Sequence, residues 1–184
     1  MRIALLTLLG SICGALPAAS PYTANEKATR DYFRGLCDFT VREKARVEVI
    51  FTGGYYMRNL VAGYKIFGDK HHLDTAVAYG DWLLGKQSER GYWQTGYAGR
   101  IYLADTASAL GLFIVLHPHV DPARQQKYLA AMQRYVDAIE RDRLIRPSGA
   151  LDVGLRTDPN GAATVPYDQD YTTSSSLTGG EIFT

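Results

Sequence analysis

The sequence predicts an all-α fold built of helical hairpins set side by side. Three observations predict it. Apolar residues recur at helical spacing along most of the chain. A segment apolar nearly all round is followed by an amphipathic one, as an inner helix is by an outer one. Short and long connections alternate, so the long ones should gather at one end of the array.

In chain order, Asn25 to Leu36 reads as a short first helix carrying Tyr32, Phe33 and Leu36. The next surrounds Tyr55 to Phe67, with Leu60, Val61, Tyr64 and Phe67 on one face, and Gly68-Asp69 stops it. His71 to Leu84 is the third, through Leu73, Ala76, Val77, Gly80 and Leu83 or Leu84. The fourth spans Thr106 to Leu116. Its Leu110–Leu116 run would also suit a strand, but Ala107, Ala109 and the Asp105-Thr106 start favour helix. Asp121-Pro122 opens the fifth as N-cap and first helical residue. Its apolar stripe is Tyr128, Leu129, Met132, Tyr135, Val136 and Ile139. The long connections run from about Gly85 to Ala104 and from about Asp142 to Tyr171. Loops longer than about 12–15 residues are uncommon in compact domains and often functional.

Residues 1–19 read as a signal peptide: Arg2, an apolar run from Ile3 to Ala15, and a small-residue exit at Leu16–Ser20. That run is shorter than the ~20 residues a membrane span needs. The expected location is therefore secreted or periplasmic, with no membrane attachment after cleavage. Cys37 is then alone and reads as a small buried apolar residue. With 46% hydrophobic and 21% charged residues and a formal charge of +1, nothing marks a nucleic-acid partner. No cofactor motif is present. The histidines, His71-His72 and His117-Pro118-His119, fall at the short turns, and the expectation is no metal.

Faint self-similarity supports the repeat. Thr106-Ala107-Ser108-Ala109-Leu110 is similar to Thr173-Ser174-Ser175-Ser176-Leu177, and Val49-Ile50-Phe51-Thr52 to Glu181-Ile182-Phe183-Thr184. Residues 20–184 are accordingly expected to be the N-terminal part of a longer ring.

Gly68-Asp69, Leu73-Asp74-x-Ala76, Asp81-Trp82-Leu83-Leu84, Gln87 and Gly91-Tyr92-Trp93 resemble hairpins of the α/α-toroid carbohydrate enzymes, the six-hairpin glycosidase-like proteins and toroidal polysaccharide lyases. The resemblance covers roughly residues 51–139 and 171–184. Leu103-Ala104-Asp105-Thr106 is similar to a segment of unsaturated uronyl hydrolases, although Ala104 stands where that family often has a second aspartate. The resemblance implies an incomplete (α/α) toroid acting on an oligo- or polysaccharide, with the aspartate at the head of an inner helix as acid/base. A glycoside hydrolase is the first expectation. A polysaccharide lyase or sugar epimerase of the same fold, or a non-catalytic scaffold binding glycan or protein, are the alternatives.

The residues themselves suit that chemistry. Cleaving a glycosidic bond generally takes two carboxylates. Asp105 closes the first long loop, and Asp168 or Asp170 the second. A helix N-terminus should lower an aspartate's pKa, and an N-cap role competes with a catalytic one. Flat amphipathic rings bury the C–H face of a sugar while polar neighbours bind its hydroxyls. The expected substrate-binding set is Trp93, Gln94, Tyr97, Arg100, Tyr102 and Tyr167.

Overall fold

A computed structural model describes residues 24–43, 50–93, 100–157 and 164–166. Within them the chain is mostly helical: α1 (Ala24–Arg42), α2 (Ile50–Phe67), α3 (Lys70–Leu84), α4 (Leu103–Leu116) and α5 (Pro122–Arg141). The expected leader lies outside these residues. Every expected helix is present, and most begin earlier than the sequence suggested. The first also runs on past Leu36 to Arg42, and α4 begins at Leu103, before Thr106.

Local chemistry fixes the ends. Gly68, at φ 72°, terminates α2, and its N–H bonds the Tyr64 carbonyl. Asp69 then caps α3 by accepting from the His71 N–H at 2.9 Å. Asp121 caps α5 in the same way through the Arg124 N–H at 3.0 Å, with Pro122 following as expected.

Inner and outer helices alternate. Helix α4 buries Leu103, Ala104, Thr106 to Ala109, Leu112, Phe113 and Leu116, and so is enclosed on several sides. It lies along α2 in the same direction. Ser108 Oγ donates to the Ile50 carbonyl near the start of both helices, and His119, just past the end of α4, meets the Tyr64 ring edge-on. The backbones approach closely because Gly54 has no side chain; a Cβ there would stand 2.7 Å from the Ser108 carbonyl oxygen. Helices α1, α3 and α5 lie outside this pair. Cys37 on α1 is buried, as its isolation suggested, and fits against Gly63 of α2.

Two corrections concern the outer parts. The buried stripe of α5 is Tyr128, Ala131, Tyr135, Ala138 and Ile139; the expected members Leu129 and Val136 stay exposed at its edge. Ala131 and Ala138 stand where the first long loop crosses α5: Gln87 Nε2 donates to the Ala131 carbonyl at 2.8 Å, and Gly91 lies against Ala138. The expected loops also contain strands. β1 (Arg100–Tyr102) and β2 (Gly154–Thr157) pair antiparallel, and β3 (Thr164–Pro166) pairs with β2. Segments this short carry no readable alternation.

Candidate functional site

The two long connections meet. β1 comes from the first and β2 from the second, in the register Arg100↔Arg156, Ile101↔Leu155 and Tyr102↔Gly154. The last pair needs glycine, since a Cβ on Gly154 would lie 2.0 Å from the Ile101 carbonyl oxygen. Where β1 runs into α4, the Leu103 N–H bonds the Val153 carbonyl at 3.0 Å, so the second loop holds the first turn of the inner helix. A further tie lies at the roots of the loops. Asp142, just past α5, accepts from Tyr92 Oη at 3.0 Å and from Arg90 at 3.2 Å, both in the first loop, and Arg141 also pairs with it. Burial works to raise the Asp142 pKa, but the hydrogen bonds of Arg141 and Tyr92 and the Arg90 charge outweigh it and hold the carboxyl below its ordinary value.

Asp105 sits in the first turn of α4, but it is not the cap. The N-cap position belongs to Tyr102, whose side chain makes no capping bond, and Asp105 is the third helical residue. Its carboxylate is partly buried and makes no hydrogen bond or ion pair with the described residues; only its backbone carbonyl is engaged, by Ser108 Oγ at 2.9 Å. One and two turns on stand Ala109 and Leu112, both wholly buried. The carboxylate thus crowns an apolar helix face. Burial alone raises its pKa. The expected lowering by the helix terminus does not prevail, because desolvation disfavours the charged form and no cation among the described residues compensates it.

The turn that carries Asp105 is braced from beneath. Tyr135 Oη donates to the Leu103 carbonyl at 3.1 Å and lies 2.7 Å from Thr106 Oγ1, itself bonded to that carbonyl at 3.0 Å. Tyr135 gives no sequence signal beyond its place in a stripe. Asp152 is also missed by sequence reasoning. It is 2% exposed, accepts from the Gly154 N–H at 3.2 Å and lies 3.7 Å from Arg146, which marks it as a loop-closing carboxylate.

Of the expected sugar-binding residues, Trp93 is elsewhere. It is 0% exposed, donates from Nε1 to the Leu83 carbonyl at 2.9 Å and packs on Phe113 and Tyr135. The apolar indole face is better served by the helical core than by the rim, so Trp93 is a core residue. Arg100 is exposed and donates to Tyr102 Oη at 3.3 Å, two residues along the same face of β1. Gln94, Tyr97, Tyr167, Asp168 and Asp170 lie outside the described residues.

Two other polar assemblies stand apart from the rim. A groove of about 680 Å³ between α3 and α5 is lined by Asp81, Leu84, Gly85, Asp121, Ala123, Arg124 and Lys127. Arg124 bridges both Asp81 and Asp121, which neutralises much of its charge internally. The second involves His72, expected as a turn residue with no metal role. It is a buried residue in the first turn of α3, and it stands with Asp38 and Asp69 in a group of potential ligand atoms all within 4.8 Å of one another. Compared with known proteins, the chain matches no family model, and neither the curated proteins nor the solved structures contain a match to it.

Proposed function

We propose that this chain is the N-terminal part of an exported α/α-toroid enzyme that hydrolyses glycosidic bonds, with Asp105 as its general acid. The observation that carries the reading is the Asp105 carboxyl: partly buried, unpaired among the described residues, raised in pKa, and placed where two long loops join. A general acid must hold its proton near the working pH, and burial without a cation is a physical route to that state. Arg100 and Tyr102 offer a guanidinium and a phenol beside it in sequence for hydroxyl contacts. β3 ends at Pro166, and the chain leaving it supplies Tyr167, Asp168 and Asp170. One of those aspartates would activate water or attack the anomeric carbon. The alternation of inner and outer helices and the parallel run of α2 and α4 support the toroid.

The test is release of reducing ends from a panel of neutral and acidic polysaccharides by the full protein and by Asp105→Asn. The expected loss is ~10²–10⁴-fold in kcat. Activity should also fall as pH rises through the Asp105 pKa, because the acid must be protonated. The variant should fold normally, since it removes a partly desolvated charge. Undiminished activity in Asp105→Asn, or no hydrolysis of any glycan by the full protein, refutes the reading.

A further inference from the structure

We propose that Asp38, Asp69 and His72 form a binding site for a divalent transition-metal ion that clasps α1 to the turn between α2 and α3. The three come from separate elements: Asp38 from the last turns of α1, Asp69 from the α2–α3 turn, His72 from the first turn of α3. Each offers one ligand atom, and these atoms lie within 4.8 Å of one another. Two carboxylate oxygens and an imidazole nitrogen suit zinc and its neighbours in the first transition row, with water completing the shell.

His72 separates this group from an ordinary pair of surface acids. Its side chain is 2% exposed, with Nδ1 against Gly63 of α2 and Nε2 as the ring nitrogen beside the Asp38 carboxylate. Among the described residues the ring's polar contact is at Nε2, which lies 3.0 Å from Asp38 Oδ1. The fold also makes room for this ring. A Cβ on Gly63 would come 3.0 Å from Nδ1, and Phe67 meets the imidazole edge-on at 6.4 Å. The nitrogen donor is therefore rigid and desolvated, while Asp38 and Asp69 are exposed and give an ion access from solvent. Asp69 Oδ1 accepts from the His71 N–H, and a carboxylate with two oxygens can cap α3 and still ligate an ion. The group lies at the short-turn end of the helices, away from the strands of the long loops, so the ion's role is structural. This inference does not rest on the proposed hydrolase activity.

The experiment is isothermal titration of the full chain, first stripped with a chelator, with Zn²⁺, and separately with Mg²⁺, alongside thermal melting. The expected result is one Zn²⁺ per chain, a higher melting midpoint with Zn²⁺, and weaker binding of Mg²⁺, which prefers oxygen ligands. Asp69→Asn retains a good helix cap and so isolates the ligand role. It and Asp38→Asn should each weaken Zn²⁺ at least tenfold with helical circular dichroism unchanged. His119→Gln, at the other short turn, should bind as the parent does. No Zn²⁺ binding by the parent, or equal affinity in Asp38→Asn and Asp69→Asn, overturns the proposal.

Discussion

Gly91 occupies a backbone conformation that a side chain would resist, at φ 97°, and a Cβ there would stand 2.4 Å from the Arg134 carbonyl oxygen of α5. The two residues that follow it, Tyr92 and Trp93, are both fully buried. Gly91-Tyr92-Trp93 is in this structure a device for pinning the first long loop to the core. Gly91→Ala should therefore destabilise the protein by ~2 kcal/mol or more, from strain and steric clash together. Urea unfolding monitored by tryptophan fluorescence measures it; a change under ~0.5 kcal/mol would mean that the loop can shift away from α5 at little cost. Asp105 shows the opposite kind of residue. Its identity was readable from the sequence, but its state was not, because the balance between helix terminus and desolvation depends on what surrounds the carboxyl in three dimensions.

At the scale of elements, packing of α2 on α4 depends on small residues. Gly54 faces Ser108 so closely that even a methyl group would overlap the α4 backbone, at 2.7 Å from its carbonyl oxygen. Gly54→Ala improves helix propensity by about 1 kcal/mol in an isolated helix. Here it should still be net destabilising by ~1–3 kcal/mol, because the two inner helices must separate. A lower midpoint in thermal melts is the expected readout, and a raised one would show that α2 and α4 do not touch at Gly54. The helices were legible because periodicity, caps and stops agree, as at Gly68-Asp69 and Asp121-Pro122. The strands were not, because β1, β2 and β3 are three or four residues long and each exists through its partner. Nor was the rotation of α5 legible. Leu129 and Val136 look like core residues on a helical wheel, but the loop carrying Gln87 and Gly91 packs on the Ala131 and Ala138 side of α5 instead.

In the molecule as a whole, large apolar side chains stay exposed on both flanking outer helices: Tyr32, Leu36 and Phe39 on α1, Leu129 and Val136 on α5. The alternating pattern suggested this row of helices in advance, and the structure adds that its long-loop end is sewn together by Asp142. Because that carboxyl is held below its ordinary pKa, it supplies stability fully present above the ordinary range near ~3.9 and lost as pH falls through the lower, folded value. Asp142→Asn should thus lower the thermal midpoint at neutral pH and narrow the gap to the parent as pH falls below the ordinary carboxylate range. Equal midpoints at pH 7 would show the clasp to be idle. Asp105 acts in the reverse sense: its raised pKa costs stability at neutral pH and spares it in acid. The Leu103–Val153 bond and the β1–β2 ladder bear on the order of events in time. They join segments with all of α4 and α5 between them, and closing so long a loop is slow and entropically costly. Each helix can form from its own residues, and α2 can pair with α4 once α4 has emerged, although Ser108 and Ile50 also lie far apart in the chain. The sheet beside Asp105 must wait for β2, so among the described elements the proposed catalytic end is completed only after all five helices have been made.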